Sequence, residues 1–196
     1  MYRLEKVSSR VEVVGKDLEK LDEKLVEIKS SLEGIDTEFP FEFTKDSREQ
    51  SVLWKLRKEL YPSIAGLRRS GTTAIIEDVC FPVEKLTEAV LSLRGVLEKD
   101  GYGDAAVYGH ALEGNLHFVF NQDFSPPESV EKYRILMQDM AELVVGKYDG
   151  SLKAEHGTGR NMAPYVEMEW GRTAYRLMKD IKEIFDPKGI LNPGVI

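Results

Sequence analysis

Hydrophobic and polar positions follow two different periodicities along the chain. Apolar residues spaced three and four apart predict amphipathic helices, and short runs that alternate polar and apolar positions predict strands. The helical pattern is clearest in residues 16–32 and 83–99, where leucine recurs along one side. Residues 72–82 form an apolar run that is typical of a buried strand.

Turn and cap signals divide the rest of the chain. The predicted strands are residues 10–14, 39–44, 72–82, 105–112, 116–120 and 151–156. The predicted helices are residues 16–32, 46–61, 83–99, 127–148 and 165–185. Pro62 predicts the end of the second helix, because the residue before a proline disfavours helical geometry. Residues 157–164 are predicted to form a loop, and the last eleven residues are rich in turn formers.

This order of elements predicts an α+β fold. The expected packing is a ferredoxin-like antiparallel sheet with the helices on one face. A doubly wound parallel sheet is the rival. The predicted hairpin at Glu113 and Gly114 counts against it, as does the lack of a glycine-rich phosphate loop.

Composition and charge restrict the class of protein. The chain has 196 residues, 42% of them hydrophobic and 31% charged, as in an ordinary soluble domain. Its net charge of −7 argues against nucleic-acid partners. No apolar run approaches the roughly 18 residues of a membrane span, and the N-terminus lacks the apolar core of a secretory signal. The one cysteine, Cys80, suits a reducing compartment, so a cytoplasmic location is predicted.

The three histidines of the chain lie in two short segments, GHALEGNLHFVFN and SLKAEHGTGR. If Glu113 and Gly114 form a two-residue hairpin loop, His110 pairs with His117 on the neighbouring strand. Directly opposed residues share a face, with Cβ atoms about 4.5–5.5 Å apart. Such a pair could converge on one metal ion. The alternative is two half-buried histidines in a sheet.

The second segment adds Glu155 and His156. Adjacent strand residues face opposite ways, so these two side chains should have different roles unless the strand bends. Two histidines and one glutamate form a known ligand set for Zn²⁺ or another divalent ion. His156 would then remain as a proton acceptor. The alternative is an exposed Glu-His turn.

Three motifs resemble a known family. GHALEGNLH resembles the GHxGDGNLH motif of the C-terminal domain of FAD-linked oxidases. KAEHGTGR is similar to the EHGxG motif of that family, and FDPKGILNPGVI is similar to its closing FDPxxxxNPG motif. The family includes D-lactate dehydrogenases, the glycolate oxidase flavin subunit and D-2-hydroxyglutarate dehydrogenase. The similarity covers roughly residues 50–196, and residues 10–49 fit less distinctively.

The resemblance implies a flavin-dependent dehydrogenase that oxidises a D-2-hydroxy acid and holds a divalent metal, Zn or Mn. The implied site residues are the metal ligands His110, His117 and Glu155, the catalytic base His156, the substrate-carboxylate ligand Arg57, and Asn192, close to the flavin.

Several residues depart from the family pattern. Leu112 and Glu113 replace the Gly and Asp of the first motif. Ile76 stands where hydroxyglutarate-type members carry a substrate-binding lysine, Tyr61 replaces a threonine and Val119 replaces an asparagine. A second substrate carboxylate would lose polar partners. The expected substrate is therefore a less polar, lactate-like acid.

The resemblance also implies that residues 1–196 are one domain of a larger enzyme. No glycine-rich pyrophosphate cradle precedes residue 100, so FAD is expected to bind mainly to a separate domain of the same polypeptide, and the chain is expected to be inactive by itself. The segment NMAPYVEMEWG resembles large bacterial members that continue into a 4Fe-4S domain. The implied partners are a small 2-hydroxy acid, the FAD-binding domain and a downstream electron acceptor. The full-length enzyme could associate with the inner face of the membrane.

Two rival functions belong to other classes. In a metal-dependent hydrolase, Glu155 would activate a bound water and His156 would stabilise developing charge. In a non-catalytic ferredoxin-like ligand-binding module, the histidines would be structural.

Overall fold

The computed structural model describes residues 10–196. Two compact units divide the chain, one reaching to Glu59 and the other comprising Leu60–Ile196. The α-helices are α1 Leu18–Ser31, α2 Ser47–Gly66, α3 Leu86–Lys99, α4 Pro127–Ala141, α5 Gly159–Met162 and α6 Val166–Phe185. The strands are β1 Thr73–Cys80, β2 Ala106–His110 and β3 Asn115–Gln122.

The three described strands form one antiparallel sheet in the order β1-β3-β2. The backbones of Cys80 and Ser151 exchange two hydrogen bonds of 2.9 Å in an isolated antiparallel bridge beside β1. The succession β1, α3, β2, β3, α4 and this bridge is the ferredoxin-like arrangement, with the fourth strand reduced to one residue pair. The α+β prediction is confirmed, and the parallel rival is wrong.

One face of the sheet carries the hydrophobic core. Helix α3 is amphipathic, and it buries Ala89, Leu93 and Leu97 at a spacing of four residues. The core also contains residues of β1, β3 and α4, namely Ile75, Val79, Leu116, Phe118, Phe120, Leu136, Met137, Met140 and Ala141. The opposite face of the sheet is therefore available for other side chains.

Three predicted strands are wrong, because residues 10–14, 39–44 and 151–156 form no ladder in the described part of the chain. In the first two segments the alternating side chains meet helix residues instead. The Arg10 guanidinium lies 3.8 Å from the centre of the Trp54 ring, and the Lys29 ammonium lies 5.6 Å from that of Phe43. An alternating pattern becomes a strand only where a partner strand is present.

The helices follow the predictions more closely, with three differences. Helix α2 continues through Pro62 to Gly66 instead of ending at Tyr61. A proline within a helix removes one backbone hydrogen bond but does not forbid the next turn. The predicted loop at 157–164 contains α5, and α6 is interrupted at Gly171, whose φ is 76°. None of the helices within residues 10–196 combines the length and apolar character that a bilayer span needs.

Candidate functional site

The candidate site lies on the sheet face opposite the core. Because side chains alternate along a strand, Asp78, His117 and Tyr108 face this side while Glu77 and Phe118 face the other. Asp78 and His117 are direct cross-strand partners, as are Tyr108 and His117. The central row of this face therefore places an acid, an imidazole and a phenol side by side.

The predicted direct pairing of His110 with His117 is wrong, since His110 pairs with Asn115. The loop contains residues 111–114 instead of two residues, so the register differs from the predicted one by two positions. An even shift keeps every side chain on its face, whereas a shift by one residue would reverse it. His110 and His117 still share a face, with ring centroids 5.6 Å apart.

Gly114 explains the longer loop. Its φ of 66° lies in the left-handed region, and its N–H donates to the carbonyl of Ala111 at 3.1 Å. The Gly114 carbonyl accepts from the Phe81 N–H at 2.9 Å, which fixes the loop against the end of β1. A Cβ at this position would lie 2.0 Å from the Phe81 carbonyl oxygen. Leu112 and Glu113 are exposed at the loop tip, so their departures from the family motif leave this geometry intact.

Glu155 meets both of these histidines. Its Oε1 lies 3.0 Å from His117 Nε2 and 3.5 Å from His110 Nε2. One donor atom from each residue lies within 4.8 Å of the other two. The structure thus brings together the three residues that were predicted from the sequence to be metal ligands. Two imidazole nitrogens and a carboxylate oxygen suit Zn²⁺ and similar divalent ions.

His156 lies beside the His-His-Glu group and is not part of it. Its ring stacks on that of His117, with centroids 5.2 Å apart and an interplanar angle of 18°. His156 Nε2 lies 4.0 Å from Glu155 Oε1, while Nδ1 lies 3.8 Å from Asp78 Oδ2. The side chain is 39% exposed, so a small molecule can reach it. A second group of potential metal donors, Asp78, His117 and His156, also lies within 4.8 Å.

Asp78 centres the site, and the sequence prediction missed it. Its Oδ2 accepts hydrogen bonds from the backbone N–H groups of Glu155 and His156, both at 2.8 Å, and its Oδ1 accepts one from the Asn115 amide. These bonds explain why residues 151–156 form no strand, since two of their N–H groups bind a side chain. The Glu77-Asp78 pair within an apolar run could have indicated the role of Asp78, because buried acids require partners.

The charges of the site follow from these contacts. Burial opposes the ionisation of Asp78, but the hydrogen bonds from His156, Glu155 and Asn115 outweigh it and hold the pKa of Asp78 below its usual value. Burial also lowers the pKa of His117, although the nearby charges of Asp78 and Glu155 oppose this shift. His117 is therefore held neutral beside an ionised Asp78. Neutral imidazole is the form that binds metals.

The two remaining predicted residues lie on other segments of the chain. Arg57 is on α2, in the unit that reaches to Glu59, with its guanidinium 5.8 Å from the centre of the Trp54 ring. Asn192 lies in the C-terminal segment with a φ of 45°. That segment is fixed by Asp186, which accepts hydrogen bonds from the backbone N–H groups of Ile190 at 3.0 Å and Leu191 at 2.8 Å. The Asp of the closing motif therefore has a structural role.

A cavity of about 210 Å³ opens beside His156. Its apolar lining comes from Leu152, Met162, Val166 and Trp170, and its polar lining includes Lys153 and Glu169. The Lys153 ammonium is already paired with the buried Glu77 carboxylate at 2.7 Å. The charge of this lysine is therefore neutralised within the protein.

This α+β domain, with a His-His-Glu group on the sheet face opposite the core, also matches a known family. The family described as "FAD linked oxidases, C-terminal domain" matches residues 5–196, and the chain belongs to it. The chain is 32% identical over 154 residues to the mitochondrial D-lactate dehydrogenase [cytochrome] of Arabidopsis thaliana, covering 79% of this chain and 27% of that protein.

Two other relatives carry different names. The mitochondrial D-2-hydroxyglutarate dehydrogenase of Danio rerio is 33% identical over 183 residues, covering 90% of this chain and 31% of that protein. The glycolate oxidase subunit GlcD of Bacillus subtilis is 30% identical over 132 residues, covering 67% of this chain and 28% of that protein. The chain thus spans less than a third of the length of these relatives.

Proposed function

We propose that residues 1–196 are the substrate- and metal-binding domain of a flavin-dependent dehydrogenase that oxidises a D-2-hydroxy acid to the 2-oxo acid. The observation that carries this proposal is the convergence of His110, His117 and Glu155, with Glu155 Oε1 within 3.0 Å and 3.5 Å of the two imidazoles. Family membership favours oxidation over the hydrolase and ligand-binding alternatives.

His110, His117 and Glu155 would hold a divalent ion, Zn²⁺ or Mn²⁺. The donor set fits, because Glu155 supplies a hard anionic oxygen and burial keeps His117 in its neutral form. When bound, such an ion would supply Lewis-acid stabilisation of negative charge on the substrate oxygens. A 4Fe-4S cluster does not fit this chain, since it needs about four cysteines and the sequence has only Cys80.

His156 is the proposed base for the hydroxyl proton of the substrate. Its Nε2 is on the Glu155 side of the ring and would accept the proton, while its Nδ1 is on the side of the Asp78 carboxylate. The negative charge of Asp78 would stabilise the imidazolium that forms. FAD, bound mainly by another domain of the longer polypeptide, would supply the acceptor for the hydride that leaves the α-carbon.

The surroundings of the site support a small, weakly polar substrate. Ile76, Val119 and Ala106 form a cross-strand row next to the row that contains Asp78 and His117. The cavity beside His156 is small, and its lysine is neutralised by Glu77. These features favour a lactate-like acid over an acid with a second carboxylate. We propose further that Arg57 binds the substrate carboxylate and that Asn192 lies close to the flavin.

The decisive experiment uses the longer enzyme that contains this domain together with its FAD-binding domain. Under anaerobic conditions, D-lactate should reduce the flavin, L-lactate should not, and prior removal of metal by a chelator should abolish the reaction. D-2-hydroxyglutarate and glycolate, mixed separately with the enzyme, test the substrate class. Failure of every D-2-hydroxy acid to reduce the flavin in the metal-loaded enzyme would refute the proposal.

A further inference from the structure

Asp78 lies at the junction of the two segments that form the site. It is fully buried on β1 and faces His117 directly across the sheet. Its carboxylate also reaches the backbone of residues 155 and 156, which lies 77 and 78 positions further along the chain. One side chain therefore touches both the strand that carries His117 and the loop that carries Glu155 and His156.

The groups bonded to this carboxylate are hydrogen-bond donors. Oδ2 accepts from the N–H groups of Glu155 and His156, and Oδ1 accepts from the Asn115 amide. Oδ1 also lies 3.4 Å from His117 Nδ1, a buried nitrogen that makes no hydrogen bond within the described chain, so Asp78 is an acidic group next to it and not yet its bonded partner. A carboxylate that faces only donors can favour only the imidazole form with a proton on Nδ1.

The opposite side of the His117 ring faces the candidate metal donors. His117 Nε2 lies 3.0 Å from Glu155 Oε1 and is part of the His-His-Glu group. Without a metal, Glu155 favours a proton on Nε2, but its side chain is 53% exposed and screened by water, whereas the charge of the fully buried Asp78 is screened much less. An imidazole can coordinate a metal only through a nitrogen that carries a lone pair. Histidine ligands commonly donate their other N–H to a carboxylate, which fixes the tautomer and the ring orientation.

We infer that Asp78 is the positioning residue of this site: it holds His117 in the Nδ1–H tautomer and fixes the backbone of Glu155 and His156, so that the donors of both segments face one point. The effect of Asp78 on metal binding rests on the proposed function. The tautomer of His117 is a property of the metal-free protein, so it can be tested separately.

Asp78→Asn tests this inference with little change in shape. The amide has one oxygen, which would stay with the two backbone N–H groups of residues 155 and 156. Its NH₂ group would then take the place of Oδ1, which would lose the hydrogen bond from the Asn115 amide, and it would face His117 Nδ1, to which it could donate. The imidazole would switch to the Nε2–H tautomer, which turns an N–H towards Glu155 in place of a lone pair.

Glu77→Gln is the matched control. Glu77 is the neighbouring residue of β1, and it is equally buried. It faces the core side, where it accepts hydrogen bonds from Lys153 at 2.7 Å and Asn161 at 2.6 Å. The control therefore makes the same chemical change in the same strand, away from His117.

The experiment compares the whole chain with both variants. ¹⁵N-histidine NMR assigns the protonated nitrogen of His117 in the metal-free protein, and titration calorimetry measures Zn²⁺ binding. In Asp78→Asn we expect the Nε2–H tautomer and Zn²⁺ affinity about 10–100-fold weaker, the usual effect of losing a partner of a metal ligand. In Glu77→Gln we expect the wild-type tautomer and an affinity close to wild type.

The outcomes separate this inference from the proposed function. A wild-type chain with His117 in the Nε2–H form overturns the inference, and this measurement decides the matter even if Asp78→Asn fails to fold. Equal tautomers and equal affinities in the two variants also overturn it, while the metal site stands. If His117 is in the Nδ1–H form but the wild-type chain binds no Zn²⁺, the tautomer assignment is supported and the proposed metal site fails.

Discussion

Ile76 of β1 and Val119 of β3 are direct cross-strand partners on the face that carries the histidines. The next row along the same face pairs Asp78 with His117. An apolar row thus adjoins the polar row of the site. This boundary is the structural basis for expecting a substrate with a charged end and an apolar remainder.

Ile76→Lys should move the substrate preference towards D-2-hydroxyglutarate. The added ammonium would lie beside the polar row, where it could pair with a second carboxylate. One charge-assisted hydrogen bond contributes about 1.5–3 kcal/mol, so we expect the ratio of kcat/KM for hydroxyglutarate over lactate to rise at least about tenfold in the longer enzyme. Ile76→Met is the neutral control and should leave the ratio unchanged. A similar change in both variants would contradict this explanation of specificity.

Glu155→Gln and His156→Asn should have different effects although the residues are adjacent. Glu155→Gln removes a proposed anionic ligand, so metal and activity should be lost together. His156→Asn should keep its metal yet lose roughly 10²–10⁴-fold in rate, the range for a missing general base. Metal content and single-turnover flavin reduction in the longer enzyme distinguish the two. Metal-free His156→Asn with fully loaded Glu155→Gln would reverse the two roles.

The metal-free chain should become less stable as the pH falls below about 6.5. Burial lowers the pKa of His117 in the folded protein, so below 6.5 the unfolded chain binds a proton that the folded chain does not. The free energy of unfolding should therefore decrease with falling pH, by at most about 1.4 kcal/mol per pH unit from this group, until the folded pKa is passed. Urea unfolding at several pH values measures this decrease in the free energy of unfolding.

His117→Gln provides the control for this titration. The variant cannot bind the proton, so its stability should depend less on pH between about 6.5 and the folded pKa of His117. Protonation of Asp78 should also lower the free energy of unfolding, at lower pH. The pKa of Asp78 is lowered in the folded state, so its contribution to stability is lost as the carboxylate becomes protonated. Identical pH profiles for wild type and His117→Gln would show that His117 does not titrate as expected.

Gly114→Ala should destabilise the domain by about 2–4 kcal/mol. The new Cβ would meet the Phe81 carbonyl oxygen at 2.0 Å, and the left-handed backbone adds about 1–2 kcal/mol of strain. Gly146→Ala is the control, because an added Cβ there has no neighbour within 4 Å. Thermal unfolding should show a lower midpoint for Gly114→Ala and little change for Gly146→Ala. Equal midpoints would mean that the loop relaxes away from β1.

The sequence was sufficient to predict the three strands of the sheet and the helices that cover it. The strands predicted at 72–82, 105–112 and 116–120 correspond to β1, β2 and β3, whose apolar side chains pack in the core, and α3 and α4 have a regular apolar face. The strands predicted at 10–14 and 39–44 were wrong because an alternating pattern indicates one apolar and one polar face but does not show that a partner strand is present. The strand predicted at 151–156 failed for another reason, since Asp78 takes two of its N–H groups.

The candidate site was predictable in its members but not in its organisation. His110, His117, Glu155 and His156 stand out because the chain has three histidines, all in two short segments. The exact register depended on Gly114 and its hydrogen bond with Phe81, a contact between residues 33 positions apart that no local pattern reveals. The role of Asp78 likewise depends on backbone groups more than 70 residues away.

The adjacent acids of β1 also bear on how the chain avoids misfolding. Glu77 and Asp78 are both fully buried on opposite faces, each with its own partners. A slip of β1 by one residue would move both carboxylates to the wrong face, for example with Asp78 opposite Phe118 and Glu77 opposite Val119. An unpaired buried charge costs several kcal/mol. The two acids therefore make a one-residue misregister of β1 unstable relative to the native pairing.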